Sequence, residues 1–597
     1  MKKTDLVKVS LKSLLGERAN HFYIPYYQRA YVWDCDENCQ TLWDDLYSFF
    51  FPEGNYENFD ADNDEYWLGQ ITTCPAAEAK QFEIVDGTQR IITLELMLRV
   101  LYSVLDENSP HKRDVRGCLW HVDESYNAPD NSLIKISFDE TLDIDRLPLR
   151  NILREGKVIA PDKTPYAVNF RFFREKIYAL KEQDSKLCDK FVARLLNNVS
   201  VNWSKTENQD DALTIFSTIN DRGVPLRISD IFKAELCRDV YSKGGRAAIE
   251  NFIADWNKLA ASCKNVFELN NRRKGSFSYL ENAFFVSAVI NRPSLRFREL
   301  KKYYARDNYS RLKVPSTIQT IQKSINYFSM LTDNNQSNLF FSAEVMRKAQ
   351  ILIRSGCQGV WALLAKFLLR GDIGASEFNE KFSRFLTRIL AFFLGSAAIR
   401  RTNRLNKSAF LLSYFDCFAE GTPLPEKEKF KLSEIQSAIH KSYTVKDSDK
   451  ILRIFLHWIL LKNPQQPLAF PDTAIEIEHI YAKKLGDYCD FNDLNSLDLL
   501  GNLAYLERAL NGTASTLTFA DKAQIYLGKK PRTNRKSSKK LPPTFNMELQ
   551  ALAASKSSFT EDDIIERNES ILRSLVELLD QQGFLDNDID DTEVNFQ

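Results

Sequence analysis

Near its C-terminal end the chain places a carboxylate beside a histidine, Glu478-His479, and follows them with two asparagines, Asn502 and Asn511. This combination suits metal-assisted hydrolysis of a phosphodiester. An imidazole with an ordinary pKa of about 6.5 takes a proton from water at neutral pH, and carboxylate and amide oxygens are the donors that a hard cation such as Mg²⁺ prefers. A second group of interest is VDGTQR at 85–90. There Asp86, Gly87, Thr88, Gln89 and Arg90 lie between the apolar run Phe82, Ile84, Val85 and an apolar stretch with helical spacing. A strand, a glycine turn and a helix N-terminus leave backbone N–H groups pointing outward, a setting that accepts anions. The same residues have a purely structural account, in which Asp86 and Arg90 form an internal ion pair locking strand to helix.

The elements that must hold these groups can be read from spacing. Alternation of Ile475, Ile477 and Ile480 predicts a strand ending at Glu478-His479, and Leu499–Leu506 predicts a second one. Asn511 then falls on a loop and Phe519–Tyr526 on a helix. After Arg90, the residues Ile91, Ile92, Leu94, Leu96, Met97, Leu98, Val100 and Leu101 predict a helix with a broad apolar face. Residues 1–240 mix short strand-like runs with helices, and 241–430 are dominated by helical periodicity, as in 339–370. The tracts DNNQSN at 333–338 and EGTPLPEKEKFKLSE at 420–434 read as loops, the second as a domain boundary. Thr560 with Asp563 forms a capping-box start for a late helix.

Composition bounds the rest. With 597 residues, 44% apolar and 27% charged, the chain has the size for two to four soluble domains. Its formal net charge is zero, so nucleic-acid binding must come from local patches. One is the basic tract 529–543, whose Lys529, Lys530, Arg532, Arg535 and Lys536 read either as a solvated linker or as contacts that track DNA phosphates without reading sequence. The N-terminus lacks a signal-peptide core, and the apolar stretch at 386–399 is interrupted by Arg388 and too short to span a bilayer. Scattered single cysteines fit reduced thiols in the cytoplasm, and Cys35 and Cys39 have no second pair to complete a zinc site. No Walker-type phosphate loop occurs.

The segment 475–522 resembles the ββα-metal, or HNH, nuclease core, in the version found in the C-terminal half of GmrSD-type modification-dependent (type IV) restriction endonucleases. The resemblance implies that His479 is the general base, that Glu478 and Asn511 hold the divalent ion, Mg²⁺ or Mn²⁺, and that Asn502 braces the loop carrying the base. Lys522 matches a lysine recurring in this version and could contact phosphate. The usual proline three residues after the histidine is absent, since the chain reads His479-Ile480-Tyr481-Ala482. Four N-terminal stretches, 22–34, 66–73, 85–90 and 212–236, resemble in the same order the N-terminal domain of these proteins, which is related to the ParB and sulfiredoxin fold. Thr88 stands where that domain usually has glutamine.

The resemblance implies an α+β multidomain protein: a ParB/sulfiredoxin-like NTP-binding domain at 1–240, a helical connector at 241–430, and an HNH nuclease domain at 431–597. It implies binding and hydrolysis of ATP or GTP, coupled to cleavage of phage or modified DNA in antiviral defence. Arg90 and Arg29 would pair with phosphate oxygens, and Gln28 and Gln89 would orient phosphate or water. Asp86 and Gly87 complete the nucleotide loop, Asp86 binding the nucleotide's metal or positioning Arg90. Asn220, Arg222 and Gly223 form a turn, and Asp230 caps or pairs near the following helix. Tyr26, Tyr27, Tyr31 and Trp33 read either as core or as the lining of a cavity for a modified base. A homo-oligomer or partner defence proteins are further expected associations, a membrane is not. Two other readings are an NTP-dependent DNA- or partner-binding sensor with a degenerate nuclease core, and an NTPase that depletes nucleotide.

Overall fold

In the computed structural model the described residues are 5–25, 28, 30–76, 81–121, 133–140, 144–159, 162–207, 227–268, 279–332, 340–441, 449–470, 474–488, 491–531 and 542–586. The chain is a helix-rich α+β protein that divides into two compact units, Met1–Ala254 and Asp255–Gln597.

The first unit is built on a six-stranded mixed sheet. Its strands are β1 (Asp5–Ser10), β2 (Phe22–Ile24), β3 (Tyr66–Pro75), β4 (Phe82–Asp86), β5 (Ile136–Phe138) and β6 (Val199–Lys205), in the order β1-β6-β3-β4-β2-β5. β3 runs antiparallel to β4 and parallel to β6, with bulges near Gly69 and Thr72. The helix that follows β4, α1 (Thr88–Val104), packs against helix Pro165–Gln183 and the helices around it. It was expected to bury one face. Instead it is enclosed on nearly all sides, Glu95 and Arg99 included, because it runs through the middle of the core formed by Leu14, Phe22, Ile91, Leu98, Phe170 and Phe191.

The second unit starts with helices, among them Ala343–Arg354, Val360–Arg370 and Phe378–Ala398. The last of these contains all but the final residue of the apolar stretch at 386–399 and is a buried core helix; among the described residues no helix is long and apolar enough to cross a membrane. The tract 420–434 contains Phe430, which is buried against Phe392 and bridged to Leu585. The nine described cysteines are free. Strands β7 (Ile475–His479) and β8 (Leu503–Glu507) pair antiparallel, with His479 opposite Leu503. β8 begins later than expected, because Leu500–Asn502 form a 3-10 turn. Helices α2 (Arg508–Ala514) and α3 (Phe519–Tyr526) follow, so that Asn511 lies on a short helix and not on a loop. Helix α4 (Glu561–Gln581) opens with the expected capping box of Thr560 and Asp563.

Candidate functional site

The end of β7 is fixed from three directions. Lys522 on α3 donates to the carbonyl of His479 at 2.6 Å, and the Ile480 N–H donates to the carbonyl of Asn502 at 2.9 Å. The Asn502 amide closes the clamp. Its Oδ1 accepts from the Tyr481 N–H at 2.7 Å, while its Nδ2 donates to the carbonyls of Tyr481 at 3.1 Å and Leu497 at 2.8 Å. Asn502 therefore ties the turn after His479 to the segment before β8 and touches no solvent.

Why Gly501 precedes it follows from packing. A Cβ there would sit 2.0 Å from the Ile564 carbonyl oxygen of α4. That helix is held close by Arg567, which donates to the carbonyls of Leu500, Gly501 and Leu503.

Glu478 and Lys522 form a buried ion pair at 2.7 Å, with side-chain exposures of 3% and 0%. Tyr526 also donates to Glu478 Oε1, at 2.8 Å. Burial pushes the Glu478 carboxyl up and the Lys522 ammonium down, and each partner offsets the other's shift. The ammonium of Lys522 is thus committed to Glu478 and to the His479 carbonyl.

His479 itself is partly exposed. Its Nε2 lies 3.4 Å from Asp498 Oδ1, and Asp498 Oδ2 pairs with Lys483 at 2.5 Å. Burial lowers the imidazole pKa, Asp498 raises it, and Lys483 and Lys522 lower it again. The net shift is downward, the direction that favours the neutral ring, the form that can accept a proton.

Asn511 is brought to β7 at Glu476, two residues before Glu478 and on the same side of the strand. Its Nδ2 donates to Glu476 Oε2 at 3.0 Å, and Arg508 pairs with Oε1 of the same carboxylate at 2.7 Å. Glu476 and Asp498 were not singled out from the sequence. Glu476 had a signal in its alternation with Glu478; Asp498 had none, since its partner lies on another segment. Among the described residues no three His, Cys, Asp or Glu side chains form a metal cage. The donors here, Glu478, Glu476 and Asn511, are nonetheless hard oxygens. They fit an ion such as Mg²⁺, which keeps several waters and takes one or two carboxylates.

In the first unit, Gly87 caps α1 in the left-handed region at φ 99°, with no side-chain cap and no acidic residue in the first turn. Gln89 Oε1 accepts from the Val32 N–H at 2.8 Å and its Nε2 donates to Ala30 at 3.1 Å, while Gln28 donates to the carbonyls of Ile84 and Val85. Both amides pin the segment around 28–32 to β4 and α1. Arg90 pairs with Asp86 at 3.4 Å and donates to the Leu68 carbonyl at 3.3 Å, the ion pair anticipated from the sequence. Its guanidinium fits because Gly69 has no side chain: a Cβ there would lie 2.2 Å from Arg90 Nη1. Arg90 remains 22% exposed at the side chain. Arg146, buried in the core, donates to the Gln28 carbonyl at 3.1 Å and was also missed.

Tyr31 is core: it hydrogen-bonds Thr93 at 2.7 Å and stacks on Tyr166, and Trp33 packs against the same core. Asp230 stands in the first turn of helix Ile228–Glu268, where the helix dipole favours it. Tyr26, Tyr27, Arg29, Asn220, Arg222, Gly223, Arg532, Arg535 and Lys536 lie outside the described residues, whereas Lys529 and Lys530 are exposed.

Residues 11–237 match the GmrSD restriction endonuclease N-terminal domain, and residues 427–574 match the GmrSD restriction endonuclease C-terminal domain. Both matches are to parts of restriction endonucleases, so the class of protein is a nuclease of that kind. The chain belongs to the GmrSD restriction endonuclease family. No curated protein matches it.

Proposed function

We propose that the protein is a nucleotide-regulated, metal-dependent endonuclease of the HNH type that nicks or cleaves foreign DNA, phage-derived and modified. The observation that carries this reading is the partly exposed His479 at the end of β7, its backbone fixed by Lys522 and Asn502 and its Nε2 3.4 Å from Asp498. Two antiparallel strands followed by helices α2 and α3 support a ββα-metal core. The mixed sheet with a helix leaving β4 through a glycine turn supports a ParB/sulfiredoxin-like unit.

In the reaction His479 takes a proton from water, the water oxygen bonds to phosphorus, and the phosphorus–oxygen ester bond breaks. The leaving oxygen is protonated from solvent. Glu478 and Asn511, with Glu476 beside them, would hold Mg²⁺ or Mn²⁺, which when bound supplies charge stabilisation on the phosphate and leaving oxygen. The uncapped start of α1, with the exposed part of Arg90, would receive the phosphates of ATP or GTP.

The sensor reading also has an observation in its favour, the engagement of Glu478 by Lys522 and Tyr526. Nicking of supercoiled plasmid and phage DNA separates the two. The test uses Mg²⁺ or Mn²⁺, with and without ATP or GTP, and compares wild type with His479→Ala. Nicking that vanishes in the variant is expected; intact DNA with both proteins, alongside retained nucleotide binding, would put the sensor reading first.

A further inference from the structure

We infer that Asp498 is the positioning residue for the base: it holds the proton of His479 on Nε2 and so leaves Nδ1 as the proton-accepting nitrogen. The inference rests on the nuclease reading for its role in the reaction and on geometry for the contact itself.

Asp498 does not reach His479 by chance of surface drift, because the segment carrying it is built. Glu561, in the first turn of α4, accepts from the N–H groups of Asn492 and Asp493 and from the Ser496 hydroxyl, at 2.8, 3.0 and 2.8 Å. Asp493 caps the 3-10 turn Leu494–Asp498. Asn502 holds the Leu497 carbonyl, one residue before Asp498, with the same amide that holds Tyr481, two residues after His479. One side chain thus ties the turn after the imidazole to the segment that carries the carboxylate. Asp498 Oδ1 then faces His479 Nε2 at 3.4 Å, and Lys483 occupies Oδ2.

A carboxylate only accepts hydrogen bonds, so a ring nitrogen facing it carries the proton. The other nitrogen of a neutral imidazole is then the acceptor. Fixing ring and tautomer in this way by an acidic partner is a general device for a histidine base.

Asp498→Asn makes a sharp test because of Lys483. An ammonium only donates, so it takes the amide oxygen on its own side and turns the amide NH₂ toward His479. Nε2 then becomes the acceptor and the proton moves to Nδ1. The measurements are made on the full chain. The first is the ¹⁵N chemical shifts of His479 in histidine-labelled protein, assigned by their loss in His479→Ala. The second is plasmid nicking with Mg²⁺, split into kcat and KM.

The expected result is an Nε2–H ring in the wild type and an Nδ1–H ring in Asp498→Asn. We also expect a fall in kcat of about 10²–10⁴-fold with KM changed less than about 3-fold, and partial recovery of both signals in Asp498→Glu. An unchanged tautomer in Asp498→Asn overturns the inference, as does a wild-type tautomer of Nδ1–H. Should Asp498→Asn fold poorly, the wild-type tautomer and Asp498→Glu still decide it. DNA left intact by the wild type would overturn the nuclease reading while leaving the tautomer assignment standing, and nicking that survives His479→Ala would overturn His479 as the base and with it the positioning role. Nicking lost in His479→Ala but untouched in Asp498→Asn would overturn the positioning role alone.

Discussion

Lys522→Met should loosen the β7–β8 pair strongly, and a second change should restore it. The ammonium and the Glu478 carboxylate are 2.7 Å apart and almost fully enclosed, so removing one leaves the other as an uncompensated buried charge. Breaking such a pair costs about 3–5 kcal/mol, and the donor to the His479 carbonyl is lost with it. At about 1.4 kcal/mol per factor of ten, local opening of β7 becomes roughly 10²–10⁴ times more frequent. In Glu478→Gln with Lys522→Met no charge is stranded, and the loss should shrink to about 1–2 kcal/mol, a recovery of about 2–3 kcal/mol relative to Lys522→Met alone. Hydrogen exchange of peptides spanning Ile475–His479 and Leu503–Glu507 in the full chain reads this directly. A melting temperature does not, because a chain with two compact units has no single two-state transition. Unchanged exchange in Lys522→Met, or a double variant more labile than the single one, would refute the reasoning. The same proteins also address function: if Glu478 holds the ion, the double variant regains its protected strands without regaining nicking.

Gly501→Ala should destabilise the same region by about 1–3 kcal/mol or more, since the new methyl meets the Ile564 carbonyl and the helix backbone cannot yield like a side chain; wild-type exchange of β8 amides would contradict this. In the first unit, Glu95 is wholly buried with no hydrogen-bond partner for either oxygen among the described residues, and burial pushes its carboxyl up to about 8 from an ordinary 4.5, with Lys135 partly offsetting the shift. Because the folded form binds the proton more tightly, stability is full below about pH 4.5 and falls as pH rises through 8, by about 2–5 kcal/mol. Exchange of α1 amides across pH 5–9, corrected for intrinsic rates, should show this slope in the wild type and a flat line in Glu95→Gln; parallel lines would sink the assignment.

What could be read from the sequence was local. The alternation of Ile475 and Ile477 gave β7, Thr560 with Asp563 gave the start of α4, and Asp86 with Arg90, four residues apart across the glycine turn, offered their ion pair as one of two readings. What could not be read depends on chain segments that meet only on folding. Glu95 and Arg99 have the four-residue spacing of an exposed helical ion pair, yet both are buried. Arg99 donates to the Leu153 carbonyl and stacks over Trp120. Asp498 acquires its partner through Asn502 and Glu561, and Glu476 acquires Asn511 through a helix where a loop was expected.

The same distance from sequence separates braces from ligands among the polar residues of both sites. Irregular segments carry backbone groups that must find partners when buried, and an amide, offering a donor and an acceptor, can satisfy both kinds. Asn502 does this for the turn after His479, and Gln89 does it for Ala30 and Val32. Gln89 is therefore unable to turn to a phosphate without releasing the 30–32 segment, whereas the exposed part of Arg90 can meet one with that segment in place. A ligand that engages Gln89 must replace its bonds to Ala30 and Val32, the neighbours of Tyr31, whose hydroxyl is bonded to Thr93 and Asn169 in the core. A phosphate held by Arg90 alone would leave both amide contacts of Gln89 in place.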